Sequence, residues 1–187
     1  GGVPVFTFAP KDLPEANRDR VLLNLHGGGY VLGQGESGTQ EAVLMAGIGK
    51  FRVIYADYRM APEFPYPAAV DDAMTVYREL LKTKPAQKIG VFGTSTGGGL
   101  SLILGLRAKA EGLPLPAAIA AGTPWTDLTK TGDSYFTNEG MDNILVSYDG
   151  WLGDAARLYA GGHDLKDPML SPVYGDMSGF PPTLLTS

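Results

Sequence analysis

A serine flanked by glycines is the first group in this sequence whose type and spacing could do chemistry. Residues 93–97 read Gly-Thr-Ser-Thr-Gly and fit the pattern G-x-S-x-G, which is short enough to occur by chance. Its context is more specific, because an apolar run over residues 88–92 precedes it and a leucine- and alanine-rich run over residues 100–110 follows it. A strand, a sharp turn and a helix would lift the Ser95 hydroxyl out of a sheet. The context therefore predicts a nucleophilic serine, and a plain turn with a surface serine is the alternative.

A glycine-rich turn is the second such feature. Residues 26–30 read His-Gly-Gly-Gly-Tyr and directly follow an apolar run at residues 21–25. Consecutive glycines let backbone N–H groups point toward one place, where they can hold an anion or the oxyanion that forms when a carbonyl is attacked. A phosphate-binding loop and a simple turn are the alternatives, but neither a Gly-Lys-Ser/Thr sequence nor a G-x-G-x-x-G spacing accompanies the turn. We therefore expect an oxyanion site at the end of a second strand.

The elements that must position these two turns alternate between strand and helix. Short apolar or β-branched runs predict strands, and apolar residues at 3.6-residue spacing predict helices. Strands are predicted over residues 3–8, 21–25, 51–56, 88–92, 117–121 and from 183 onward, and helices over residues 39–48, 68–81 and 100–110. The alternation predicts an α/β fold with a mostly parallel sheet and helices on both faces. Pockets of such folds form outside the strand ends, where both turns lie.

The longest stretch between predicted core strands covers residues 126–179, and a segment of this size there is usually functional. Residues 143–160 are predicted to form one or two helices. We expect residues 130–162 to be a cap or lid inserted in a single, partial catalytic domain over residues 1–187. Tyr135, Phe136 and Trp151 are candidates for a pocket wall, with ordinary core packing as the alternative.

The composition excludes several classes of protein. Fifteen Lys and Arg residues stand against twenty Asp and Glu, and this net charge of −5 argues against a nucleic-acid partner. Cysteine is absent and only two histidines are present, so no disulfide, thiolate nucleophile or metal site is predicted. No apolar run approaches the roughly 20 residues that span a bilayer. The first residues do not form a secretory signal, so a cytoplasmic location is the default expectation.

Together with four further blocks, the two turns resemble the hormone-sensitive-lipase branch of the α/β-hydrolase esterases. The further blocks are residues 57–72, 124–128, 167–172 and 180–185, in the order in which that family has them. The resemblance covers nearly the whole chain, and the blocks together are far more specific than any one of them. It implies an α/β-hydrolase fold, apparently incomplete at both ends, with no metal or organic cofactor.

The resemblance also implies roles for particular residues. Ser95 would attack an ester carbonyl, and the backbone N–H groups of Gly28, Gly29 and Thr96 would hold the oxyanion. Thr96 stands where alanine is more usual, but only its N–H is required. Residues 57–72 are interpreted as structural, with Arg59 and Glu63 expected to pair within the turn.

The general base that a nucleophilic serine needs is not evident in these residues. His26 belongs to the glycine-rich turn, and the resemblance implies that it holds that turn in shape. His163 follows both Ser95 and the acids Asp127 and Asp154, which is the order of a Ser, Asp, His triad, but it precedes the last predicted strand. The family pattern puts the acid and the histidine beyond Ser187, so we expect these residues alone to form a poor catalyst.

The sequence thus predicts a serine carboxylester hydrolase that acts on small or medium acyl esters through an acyl-enzyme. A non-catalytic protein of the same fold that binds a small hydrophobic ligand is the alternative. The intact Ser95 turn and the complete glycine-rich turn both favour the enzyme. The sequence leaves open whether the protein is a monomer or a homo-oligomer.

Overall fold

The two predicted turns lie in a six-stranded sheet flanked by helices. The computed structural model describes residues 2–187. Its strands are β1 (Val5–Phe8), β2 (Val21–Leu25), β3 (Arg52–Ala56), β4 (Ile89–Thr94), β5 (Ala118–Gly122) and β6 (Thr183–Thr186). Its α-helices are α1 (Gln40–Gly47), α2 (Ala68–Thr83), α3 (Thr96–Ala110), α4 (Ser134–Thr137) and α5 (Gly153–Ala160). The predicted alternation of strands and helices is confirmed.

The sheet is mixed but mostly parallel. Its strand order is β1-β3-β2-β4-β5-β6, in which only β1 runs antiparallel to its neighbour. Helix α1 connects β2 to β3 on one side, whereas the chain after β3 crosses back through α2 to place β4 on the other side of β2. The strand order therefore reverses between β2 and β4. Ligand crevices of open α/β sheets form at such a reversal.

Each face of the sheet carries its own hydrophobic layer, because alternate side chains of a strand point to opposite faces. On β2, Leu23 and Leu25 pack in the large core with helices α2 and α3. Leu22, which precedes Leu23, packs on the other face with α1. Helices thus cover both faces, as the sequence predicts.

The stretch from residue 126 to residue 179 is only partly helical. Helix α4, a π-helical turn (Tyr148–Leu152) and α5 lie within it. The prediction of helix over residues 143–160 is therefore correct for Gly153–Ala160 and wrong for residues 143–147, and Asp149 and Gly150 interrupt the turn between them with non-helical backbone angles. Val146 has a positive φ of 59°, which a helix does not accommodate.

Candidate active site

The serine turn and the glycine-rich turn are neighbours in space. Strands β2 and β4 pair in parallel, with Asn24 opposite Phe92, so both turns leave the same edge of the sheet. A Cβ atom on Gly27 would lie 2.8 Å from the carbonyl oxygen of Thr94 and 3.4 Å from the Cβ atom of Ser95. The first glycine of one turn therefore contacts the serine of the other.

Ser95 occupies a strained backbone conformation at the start of α3. Its φ of 56° and ψ of −123° lie outside the regions that most residues adopt. The turn is held by three backbone hydrogen bonds: the Ser95 N–H donates to the Gly122 carbonyl at 2.9 Å, and the Ser95 carbonyl accepts from Gly99 at 3.0 Å and Trp125 at 2.9 Å. A strained conformation persists only where the surroundings fix it in this way, and such sites are often functional.

The glycines on either side of Ser95 allow α3 to start close to β2. A Cβ atom on Gly93 or Gly97 would collide with the carbonyl oxygen of Leu25. The obstacle at both positions is the backbone of β2. The close approach brings the N-terminus of α3 beside the glycine-rich turn.

Positive φ angles give the glycine-rich turn its shape. Gly28 has a φ of 122° and Gly29 a φ of 66°, and the Gly28 carbonyl accepts hydrogen bonds from Val31 at 3.1 Å and Leu32 at 2.8 Å. Among residues 2–187, no acceptor engages the N–H groups of Gly28, Gly29 or Thr96. Three backbone donors are therefore free for a ligand at the edge of the sheet that carries Ser95.

His26 is a buried structural group of this turn. Its ring stacks on Tyr58 with centroids 4.1 Å apart, and its Nδ1 lies 2.7 Å from the carbonyl oxygen of Gly27. Burial lowers the pKa of His26, although the hydrogen bond to Gly27 and the charge of Asp57 act in the opposite direction. A neutral ring whose Nδ1–H donates to the Gly27 carbonyl fits these contacts.

Side chains at the end of β3 and just beyond it hold the glycine-rich turn and the loop that follows it, and the sequence did not predict these contacts. The Tyr58 hydroxyl donates to the His26 carbonyl at 2.6 Å, and the Asp57 carboxylate accepts from the Gly35 N–H at 2.8 Å. On β3 itself, the Tyr55 hydroxyl donates to the Gly33 carbonyl at 2.9 Å. The sequence does contain a pattern that indicates such contacts, because two tyrosines and an aspartate lie close together where an apolar strand ends.

The expected pair of Arg59 with Glu63 is wrong. Arg59 binds Asp72 instead: its Nη2 donates to the carboxylate at 2.8 Å, and its backbone N–H donates to the other carboxylate oxygen at 2.9 Å. Asp72 lies on α2 with only 7% of its side chain exposed, so it requires a cationic partner. The exposed Glu63 has no such requirement.

The remaining candidates for acid and base lie in other contacts. Asp127 accepts hydrogen bonds from Thr129, Thr131 and Tyr174; burial acts to raise its pKa, but these bonds outweigh it and lower the pKa. His163 is exposed and lies edge-on to Tyr66, with centroids 5.0 Å apart. The contacts of these two residues within residues 2–187 do not include the Ser95 hydroxyl. The structure therefore does not bring either residue into hydrogen-bond contact with Ser95.

Asp154, the other acid that the chain order allows, is also engaged elsewhere. Its carboxylate pairs with Arg157 at 2.5 Å, and both side chains are about two-thirds exposed. An exposed pair within one helix contributes little to stability.

A cavity of about 200 Å³ opens directly beside Ser95. Its lining residues come from the two turns, from the loop before α1 and from α1 itself: His26, Gly27, Gly33, Ser37, Gly38, Gln40, Glu41, Thr94 and Ser95. Such a volume suits a small organic group. In the described part of the chain, no group of three His, Asp or Glu side chains is placed to hold a metal ion.

The three aromatic candidates for a pocket wall make different contacts in the structure. Trp151 contacts Gly29 of the glycine-rich turn. Phe136 lies under the Lys130 ammonium, 5.1 Å from its ring centroid, and Tyr135 accepts a hydrogen bond from the Trp125 indole at 3.1 Å. Tyr135 also lines a second cavity of about 420 Å³ within residues 134–152.

The fold and the two turns together are those of the α/β-hydrolase fold class. The chain belongs to the family described as alpha/beta hydrolase fold, which matches it over residues 22–187. Among the described residues, no helix is both long and apolar enough to span a bilayer.

Named relatives and solved structures of the same fold are similar to this chain over most of its length. An acetyl-hydrolase of Streptomyces hygroscopicus is 36% identical over 173 residues, which is 92% of this chain and 57% of the relative. The crystal structure of an esterase shares 49% identity and a TM-score of 0.94, covering 98% of this chain and 56% of the esterase. A hormone-sensitive lipase from a metagenome library shares 38% identity and a TM-score of 0.88, covering 98% of this chain and 60% of that enzyme. The resemblance to the hormone-sensitive-lipase branch is confirmed, and the chain spans less than two-thirds of each of these relatives.

Proposed function

We propose that the protein is a serine carboxylester hydrolase that acts on small or medium acyl esters. The observation that carries the proposal is the position of Ser95. It sits on a strained strand-to-helix turn at the N-terminus of α3, in contact with a glycine-rich turn whose N–H groups are free. Esterase relatives with the same fold support the assignment.

In this proposal the Ser95 oxygen attacks the ester carbonyl carbon and loses its proton to a general base. The carbon–oxygen bond to the alcohol then breaks, leaving an acyl group on Ser95 that water removes in a second step. The negative charge on the carbonyl oxygen is held by the N–H groups of Gly28, Gly29 and Thr96. One such donor is worth about 10²–10³ in turnover in a related kind of enzyme.

The positive end of the α3 dipole adds to this stabilisation, because Thr96 is the first residue of that helix. The proposal uses neither histidine of residues 2–187 as the base. His26 is buried in the turn, and His163 packs on Tyr66.

Small acyl groups are favoured by the names of the relatives. Besides the acetyl-hydrolase, an ethyl acetate hydrolase of Pseudomonas putida is 35% identical over 114 residues. We also propose that residues 130–162 cover the Ser95 site, since Trp151 within them contacts Gly29.

The test is hydrolysis of p-nitrophenyl esters by the full-length natural protein that contains this sequence. We expect Ser95→Ala to lower kcat by about 10⁴-fold or more, as for other serine hydrolases. Ser101→Ala is the matched control, because this buried serine lies in the same helix and donates only to the Gly97 carbonyl. Turnover that survives Ser95→Ala would contradict the proposal. Ester binding without hydrolysis would instead support the alternative, a non-catalytic binding protein of the same fold.

A further inference from the structure

Helix α5 and the turn before it lie against the glycine-rich turn through one row of side chains. A Cβ atom on Gly29 would be 2.9 Å from the Trp151 ring and 3.5 Å from the Cβ atom of Ala155. One helical turn further on, the Tyr159 ring stacks on Tyr30 with centroids 3.7 Å apart and planes 9° apart. The three side chains follow one another at intervals of four residues, which is the spacing of neighbours on one helix face. This face therefore covers the end of the glycine-rich turn.

Tyr30 has a strained backbone conformation directly after the two donor glycines. Its φ of 62° lies in the left-handed region, which residues with a side chain rarely adopt. Its carbonyl accepts a hydrogen bond from the Ala61 N–H at 3.0 Å, and its hydroxyl donates to the Thr96 carbonyl at 3.4 Å. Strained conformations persist only where the surrounding structure fixes them, and the fully buried stack on Tyr159 adds to these hydrogen bonds. Tyr30 thus joins the two segments that carry the proposed oxyanion donors.

A second set of contacts holds Tyr159 itself in place. Its carbonyl accepts a hydrogen bond from the Tyr66 N–H at 2.7 Å, and its ring meets the Tyr66 ring edge-on with centroids 6.3 Å apart. Ala156 and Ala160, on either side of it in α5, are also buried. The Tyr159 hydroxyl, in contrast, has no hydrogen-bond partner within residues 2–187. The ring of Tyr159, and not its hydroxyl, therefore makes the contact with the glycine-rich turn.

We propose that Tyr159 is a positioning residue for the oxyanion donors and that it acts through its stack on Tyr30. The inference rests on the proposed function and gives residues 130–162 a second role, which is to hold the donor peptides of Gly28 and Gly29. Without the stack, the backbone at Tyr30 is free to leave its strained conformation, and the preceding peptides turn with it. Donors that no longer point to one place stabilise the transition state less, while the substrate binds almost as before. Tyr159 itself touches no reacting atom.

The experiment measures kcat and KM for hydrolysis of p-nitrophenyl acetate by the full-length natural protein. Tyr159→Leu removes the stack and is expected to lower kcat about tenfold with little change in KM. This is less than the loss of about 10²–10³-fold for one missing donor, because the donors are displaced and not removed. Tyr159→Phe keeps the stacked ring and removes only the hydroxyl that has no partner, so its kcat is expected to equal that of the wild type. Tyr159→Met, which fills more of the same volume without a ring, is the variant to use if Tyr159→Leu does not fold.

Tyr77→Leu is the control for lost packing, because Tyr77 is equally buried but lies on α2 with its hydroxyl bound to the Pro114 carbonyl. It is expected to lose stability in thermal unfolding and to keep its kcat below Tm. Butylboronic acid, which adds to a reactive serine as a negatively charged tetrahedral adduct, is expected to bind Tyr159→Leu about tenfold more weakly and Tyr77→Leu as tightly as the wild type.

Three results would overturn the inference while leaving ester hydrolysis intact. These are an unchanged kcat in the folded Tyr159→Leu or Tyr159→Met variant, an equal loss of kcat in Tyr77→Leu, and a loss in Tyr159→Phe as large as that in Tyr159→Leu. Absence of all Ser95-dependent hydrolysis would instead overturn the proposed function.

Discussion

Replacing Tyr58 by phenylalanine removes one hydroxyl from beneath the glycine-rich turn. That hydroxyl donates to the His26 carbonyl at 2.6 Å in a fully buried setting. Leaving a buried carbonyl without its partner costs about 1–3 kcal/mol. For a domain of this size, that cost corresponds to a fall in Tm of roughly 2–12 °C.

The same substitution is expected to slow the chemistry. The His26 carbonyl belongs to the peptide that leads into Gly27, so its release loosens the N–H groups of Gly28 and Gly29. Complete loss of one oxyanion donor costs about 2.7–4 kcal/mol, and a donor that is loosened rather than lost should cost part of this. We expect kcat to fall about tenfold while KM changes little, because the donors act on the transition state.

Tyr77→Phe is the control for stability alone. Tyr77 is also fully buried and donates to a backbone carbonyl, that of Pro114, at 2.7 Å. Both variants should lose stability in thermal unfolding, Tyr77→Phe the less because its acceptor Pro114 is exposed, and only Tyr58→Phe should lose kcat in ester hydrolysis. Equal kcat values for the two variants would refute the reasoning that Tyr58 positions the oxyanion donors.

Two other predictions concern the buried charge of Asp72 and the titration of His26. Asp72→Asn is expected to lower the free energy of unfolding in urea by about 1–3 kcal/mol, because Asp72 is the buried partner of Arg59. Glu63→Gln is expected to lower it by less than about 0.5 kcal/mol. Equal effects of the two variants would indicate that Arg59 pairs with Glu63. Because burial lowers the pKa of His26 below its usual 6.5, the unfolded chain takes up this proton first as the pH falls. The stability that the neutral His26 contributes is therefore complete above about pH 6.5 and declines below it. We expect Tm to fall between pH 7.5 and 5.5, and we expect His26→Asn to flatten that decline. An equal decline in the variant would contradict the lowered pKa of His26.

Much of the fold was predictable because its signals are local. A few neighbouring residues are enough to predict each of three features: the apolar run of β2, the glycines after it, and the leucine-rich part of α3. Ser95 and the glycine-rich turn were placed near one another by the rule that parallel strands end at one edge of a sheet. The structure agrees, since Gly27 contacts Ser95.

The contacts that brace the site were not predictable in the same way. Tyr58 and the His26 carbonyl are 32 residues apart, and their contact depends on how β3 packs beside β2. The pairing of Arg59 with Asp72 depends on where α2 lies, whereas the nearer Glu63 was the simpler guess from sequence. The approach of Trp151 to Gly29 joins parts of the chain that share no pattern, so only the packed structure reveals it.

The most direct test of the central claim is covalent labelling of Ser95. The full-length natural protein is treated with a fluorophosphonate, and its intact mass and peptide map are recorded before and after. The account predicts a single adduct on Ser95, abolished by Ser95→Ala and retained by Ser101→Ala. A folded protein that takes up no adduct, or takes it up at another serine, would contradict the claim that this strained turn carries a reactive nucleophile.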